Sequence, residues 1–142
     1  MQPDIYDIRQ LIPQRSPIVM VDKLLWVRGD EAMCQLTVRE DNYFLEADGR
    51  MAEVGLIEHI AQSASAFAGY RAMENSNATE PPVGYIGEVK HFHVSHRPTV
   101  GDTLQTTITM GPEVQGVTII QGRTLCGDKL AAETQMKIFI KD

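Results

Sequence analysis

Glu58 stands on or beside an otherwise apolar helix face, in the stretch Gly49-Arg-Met-Ala-Glu-Val-Gly-Leu-Ile-Glu58-His59-Ile-Ala-Gln62-Ser-Ala-Ser-Ala-Phe-Ala-Gly69. A carboxylate in such a place can give or take a proton, activate a water molecule or attack a carbonyl carbon. Gln62 follows one turn later on the same side and can hold that carboxylate by a hydrogen bond. His59 is about 100° further round the helix and faces elsewhere. The Ala, Ser and Gly side chains around Glu58 let other backbone come close. The stretch therefore predicts a helix enclosed by other elements, with a single acid at a ligand pocket.

Other reactive groups are less well placed. Lys90-His-Phe-His-Val-Ser-His-Arg97 sets His91 and His93 on one face of a strand, a spacing that can bind metal. No Cys or carboxylate in that stretch completes a ligand set, so no metal is expected. Cys34 and Cys126 are far apart and read as half-buried, reduced thiols. No Gly-x-Ser-x-Gly, Walker A, Gly-x-Gly-x-x-Gly or His-Glu-x-x-His pattern occurs.

The elements that must position Glu58 follow from periodicity. Residues 4–12 have apolar positions at helical spacing, with Asp4 as cap and Pro13 as stop. Residues 18–28 read as a strand, Gly29-Asp30 as a hairpin turn and 31–39 as a second strand. In that second strand Ala32, Cys34, Leu36 and Val38 share one face. A loop covers 41–49. The long helix runs over 51–73, with Val54, Ile57, Ala61, Ala64 and Ala68 as its apolar stripe. Residues 75–82 form a polar loop. Four strands follow over 83–95, 103–110, 117–126 and 129–140, with turns at 98–102 and at Gly127-Asp128. Hairpins beside one long helix predict an α+β fold in which an antiparallel sheet curls around that helix.

The chain has 142 residues and an ordinary globular composition, which suits a single domain over 1–142. Its net charge of −6 argues against nucleic acid and anionic membranes as partners. No apolar run approaches the ~20 residues that span a bilayer. The N-terminus lacks the basic start and apolar core of a signal peptide, so a cytoplasmic location is expected.

Three segments, in this order, resemble the hotdog-fold 3-hydroxyacyl-acyl-carrier-protein dehydratases. Ile12-Pro-Gln-Arg-Ser-Pro-Ile-Val-Met-Val-Asp22 resembles the family's Leu-Pro-His-Arg-x-Pro-hydrophobic-Val-Asp motif. Gly55-Leu-Ile-Glu58-His-Ile-Ala-Gln62 resembles its Leu-Ile-Glu-Ala-x-Ala-Gln motif. Arg97-Pro-Thr-Val-Gly-Asp102-Thr-Leu resembles its Pro-x-x-x-Gly-Asp-x-Leu turn. Asn42-Tyr-Phe-Leu-Glu-Ala-Asp-Gly49 is similar to the subgroup associated with aryl polyene synthesis. The resemblance departs at two places. The family's catalytic His, in a Gly-His-Phe-Pro segment ahead of the helix, falls at Phe44 here, and no His occurs before His59. The His of the first motif is replaced by Gln14.

The resemblance implies elimination of water from a 3-hydroxyacyl thioester. Glu58 is then the catalytic acid or base. The amides near Glu53, Val54 and Gly55 would polarise the thioester carbonyl. Gly55, Val54, Gln62, Phe44 and Arg15 are expected around the substrate, and Lys90 and Arg97 on a docking surface for an acidic carrier protein. The resemblance implies no metal or organic cofactor. The pantetheine arm belongs to the substrate, an acyl-carrier-protein or acyl-coenzyme A thioester. Dimerisation or higher assembly is expected, possible partners including a homologous dehydratase, with strand 83–95 as an edge. Two other functions fit the same residues. An acyl thioesterase needs only a helix carboxylate, and a silent subunit could complete the tunnel of an active homologue.

Overall fold

The computed structural model describes residues 6–76 and 79–141. Its elements run α1 (Ile8–Leu11), β1 (Lys23–Arg28), β2 (Glu31–Thr37), α2 (Glu53–Ser76), β3 (Val83–Val94), β4 (Thr103–Val114), β5 (Val117–Cys126) and β6 (Lys129–Lys141). The strands form one antiparallel sheet in the order β1-β2-β4-β5-β6-β3. The sheet wraps one side of α2. Among the described residues β3 pairs only with β6 and is an edge, as expected for strand 83–95.

Two N-terminal boundaries differ from the sequence expectation. Asp4 lies outside the described residues, and the cap of α1 is Asp7. The Asp7 carboxylate accepts the Arg9 N–H at 2.9 Å while Gln10 Oε1 accepts the Asp7 N–H at 2.9 Å, a capping box. The strand expected from residue 18 begins only at Lys23. Side chains of α2 hold its first residues instead. The Met20 N–H donates to Gln62 Oε1 at 2.6 Å, Gln62 Nε2 donates to the Ile18 carbonyl at 2.7 Å, and His59 Nδ1 donates to the Met20 carbonyl at 2.6 Å. These backbone groups, already satisfied, do not need a neighbouring strand.

His59 fastens α2 to the sheet as well. It is fully buried, and its Nε2 lies 2.7 Å from Thr106 Oγ1, which lies 2.6 Å from Thr124 Oγ1. With Nδ1 donating to a carbonyl, Nε2 of the uncharged ring accepts from Thr106, and Thr124 donates to Thr106. That arrangement requires a neutral ring. Burial pushes the His59 pKa down to about 4.

The buried seam of α2 runs through Leu56, His59, Ile60, Ser63, Phe67 and Tyr70. Burying a side chain such as Phe67 or Leu56 stabilises the fold by about 2–3 kcal/mol each. Of the stripe expected from apolar spacing, Ala64 is buried in the same core and the other four positions are more exposed. Val54 is 57% exposed, and Ile57, Ala61 and Ala68 are half-buried. The difference comes from polar residues that bury through hydrogen bonds. Besides His59 and Gln62, Ser63 Oγ donates to the His59 carbonyl at 2.8 Å.

Small residues permit the close approach. A Cβ on Gly69 would sit 2.0 Å from the Leu11 carbonyl oxygen, so only glycine lets α2 pass α1 there. Cys34, expected half-buried, is fully buried, and burial raises its thiol pKa to about 12. β4 runs past the expected Met110 to Val114, carrying Pro112 through a register shift between Met110 and Glu113. Gln115 and Gly116, both at positive φ, turn the chain into β5. Among the described residues, no helix is long and apolar enough to cross a membrane.

Candidate active site

Glu58 borders a cavity of about 240 Å³ between α2 and the sheet. Ala61, Ala64 and Ala68 line it from the helix, Ile120 and Ile138 from β5 and β6, and Tyr85 and Ile86 from the edge strand. Positions 58, 61, 64 and 68 climb one side of α2, so the cavity follows the helix for about 15 Å at ~1.5 Å per residue. Three members of the expected apolar stripe are thus the wall of a cavity. Their methyl groups leave space that larger side chains would fill.

Glu58 is half-buried, and its Oε2 accepts a hydrogen bond from Gln62 Nε2 at 2.7 Å. Gln62 is fully buried. Its two N–H groups go to Glu58 and to the Ile18 carbonyl, and its oxygen takes the Met20 N–H. The amide is fixed in orientation by this backbone pair, so the N–H facing Glu58 is fixed too. The hydrogen bond expected from the one-turn spacing is present. Gln62 positions the acid and does not line the cavity.

The start of α2 is occupied by protein. A Cβ on Gly55 would lie 2.7 Å from Phe44 Cβ, so Gly55 makes room for Phe44. The Gly55 N–H donates to the Ala52 carbonyl at 2.9 Å, while the Ala52 N–H donates to the Phe44 carbonyl at 2.7 Å. The amides of Glu53 and Val54 remain as first-turn donors without an intrahelical acceptor. Arg15 gives its guanidinium to the carbonyls of Arg9, Ile12 and Gln14, at 3.0, 2.7 and 2.8 Å, and closes off the segment after α1.

Among the described residues, no His lines the cavity. His59 is spent on the core. His91 and His93 border a depression on the sheet face turned away from α2, with Glu31, Glu133 and Thr109. Lys90 pairs with Glu88 at 3.4 Å. Arg97 pairs with Glu46 and donates from Nε to the Met51 carbonyl at 2.8 Å, fastening the loop ahead of α2. A grouping unforeseen in the sequence lies at the far end of β5. His96, Asp102 and Cys126 bring ligand-type atoms within 4.8 Å of one another. The Thr99 N–H holds the Asp102 carboxyl below the usual carboxylate range, and burial and Asp102 push the Cys126 thiol up. A protonated thiol beside an ionised carboxylate accounts for that contact.

A second residue unforeseen as a site residue is Gln14, which reaches the Glu58 cavity from the loop after α1. The available signal was its place in the first motif, where the resemblance has His.

A single antiparallel sheet wrapped on one long helix, with a carboxylate at an apolar cavity, defines a hotdog-fold protein. A model of the ApeP-like family, described as ApeP dehydratase, matches residues 6–142, and the chain belongs to this family. It is similar to the 3-hydroxyacyl-[acyl-carrier-protein] dehydratase FabZ of Wolinella succinogenes, at 27% identity over 147 residues, 98% of this chain and 96% of that protein. FabZ of Rhizobium leguminosarum bv. trifolii is 33% identical over 109 residues, 65% of this chain and 68% of that protein. The solved structure of the dehydratase heterocomplex ApeI:P from Xenorhabdus doucetiae shares the fold, with a TM-score of 0.87 at 18% identity over 96% of this chain and 92% of that one. A hypothetical thioesterase with coenzyme A from Streptococcus pneumoniae TIGR4 also shares it, with a TM-score of 0.64 at 9% identity over 84% of each chain. The resemblance and fold read from the three motifs are borne out.

Proposed function

We propose that this chain is a dehydratase subunit for 3-hydroxyacyl thioesters, in which Glu58 protonates the departing hydroxyl. In that reaction the C2–H proton passes to a base, its electron pair forms the C2=C3 bond, and the C3–O bond breaks as the oxygen receives a proton. Water and a 2-enoyl thioester result. The observation that carries this reading is the Gln62 hydrogen bond to Glu58 at the cavity. With Oε2 engaged by an N–H, Oε1 is free to carry the proton and deliver it.

The base for C2 would come from a second chain. Both nitrogens of His59 are engaged in the core, and His91 and His93 are on the other sheet face. The edge strand β3 leaves Val83, Tyr85 and Ile86 between 42% and 56% exposed, with Tyr85 and Ile86 at the cavity wall. A subunit docked on this edge would bury them and bring its own groups to Glu58. The heterocomplex named among the similar structures supports a homologous dehydratase in that place. A second copy of this chain is the other candidate. The names of the FabZ relatives support an acyl-carrier-protein thioester as substrate, and we place the protein with that substrate in the cytoplasm. Lys90 and Arg97 are each engaged by a carboxylate, so docking of the carrier there would rest on the net charge of the region.

Glu58 without a cavity His also fits a thioesterase, in which the carboxylate activates water against the thioester carbon. Mass spectrometry of a 3-hydroxyacyl carrier incubated with the protein separates the two. Loss of water with the acyl group retained supports the dehydratase, and release of free acid supports the thioesterase.

A further inference from the structure

We infer that Gln14 recognises the hydroxyl of the acyl chain, its side-chain carbonyl accepting a hydrogen bond from the C3–OH beside Glu58; this rests on the substrate class proposed above. Gln14 Oε1 is the one buried side-chain polar atom without a hydrogen-bond partner among the described residues. Gln14 lines the same cavity as Glu58. A buried acceptor left unpaired is destabilising unless a ligand brings it a donor. The backbone that carries the side chain is held in place. Leu11 and Ile12 just before it are fully buried, and Arg15 Nη1 donates to the Gln14 backbone carbonyl at 2.8 Å. The segment that carries the acceptor is therefore fixed before any ligand arrives.

The chemistry accounts for an acceptor at this place. A hydroxyl about to be protonated by Glu58 must turn a lone pair toward that carboxyl, so its own hydrogen must point elsewhere. An amide oxygen takes that hydrogen without titrating and without competing for the proton Glu58 delivers. The two contacts fix the C3–O bond between Gln14 and Glu58. Gln62, bonded to Glu58 and to residues 18 and 20, ties the Gln14-bearing segment to α2. When the bond breaks, the hydrogen bond to Gln14 passes to the departing water. The enoyl product retains no donor at C3. Gln14 thus favours the 3-hydroxyacyl chain over saturated and enoyl chains of equal length, as sites built to bond a hydroxyl reject analogues lacking it.

The test uses Gln14→Met, of similar length and without an acceptor, in a Glu58→Gln background so that no water is lost during the measurement. Titration calorimetry compares a 3-hydroxyacyl and a saturated acyl pantetheine thioester of the same chain length. The parent should prefer the hydroxylated ligand, and Gln14→Met should weaken that ligand about 10-fold while binding the saturated one equally or more tightly. Thermal unfolding of Gln14→Met should be unchanged or raised. An unchanged preference overturns the inference. So does an equal loss for both ligands, which would assign the acceptor to the pantetheine arm. Failure of both proteins to bind either thioester would instead overturn the substrate class itself.

Discussion

Gln62 lies one helical turn beyond Glu58 and donates to its Oε2 at 2.7 Å, while the same amide is fixed by the Ile18 carbonyl and the Met20 N–H. The catalytic candidate is thus aligned by a side chain whose other hydrogen bonds hold the segment before β1. One residue serves both the fold and the site.

Replacing Gln62 with Leu should therefore damage both. The change leaves the buried Met20 N–H and the part-buried Ile18 carbonyl without their partner, at a cost of about 2–4 kcal/mol. Chemical denaturation should show a lower midpoint with an unchanged slope. Turnover should fall about 10-fold or more under conditions where the variant is still folded, because Glu58 loses its fixed orientation. A variant as stable as the parent would contradict the role given to Gln62.

Gly69 should tolerate no side chain. Its Cβ position lies 2.0 Å from the Leu11 carbonyl oxygen, a backbone atom that cannot swing aside. Gly69→Ala should cost about 2–3 kcal/mol and lower Tm by about 6 °C, read by differential scanning calorimetry.

Much of this architecture was legible in the residues. Alternation placed the strands, the hairpin at Gly29-Asp30 and the inward face of Ala32, Cys34 and Leu36, because period-two burial leaves a plain trace. Motif order gave the hotdog fold, and the one-turn spacing gave the Glu58–Gln62 contact. Two things were hidden for physical reasons. The buried seam of α2 was placed only at Ala64, because His59, Gln62 and Ser63 bury through hydrogen bonds, which apolar counting omits. The start of β1 was misplaced because α2 side chains, 40 or so positions away, hold the backbone of residues 18–20. Gln14 enters the cavity through tertiary contact, and its trace in the residues was its place in the first motif.

His59 should make stability depend on pH in one direction. Its folded-state pKa of about 4 is below the ordinary 6.5 because burial disfavours the charged ring. Between those values the unfolded chain binds a proton that the folded chain refuses. The stabilisation is complete above about pH 6.5 and is lost as pH falls toward about 4, with a slope of up to ~1.4 kcal/mol per pH unit. Urea titrations at several pH values above about 5 should show that slope in the parent and a flatter one in His59→Gln. Parallel slopes would mean that another group carries the effect.

The most direct test of the central claim is a mixing experiment read by mass spectrometry of a 3-hydroxyacyl carrier protein. The chain alone, a homologous His-bearing dehydratase alone, and the two together are compared, each with this chain as parent and as Glu58→Gln. If Glu58 supplies the acid and the base comes from a second chain, the mixture should lose water faster than the sum of its parts, and Glu58→Gln should abolish that gain. A gain that survives Glu58→Gln, or full turnover by the chain as a monomer, would contradict the account.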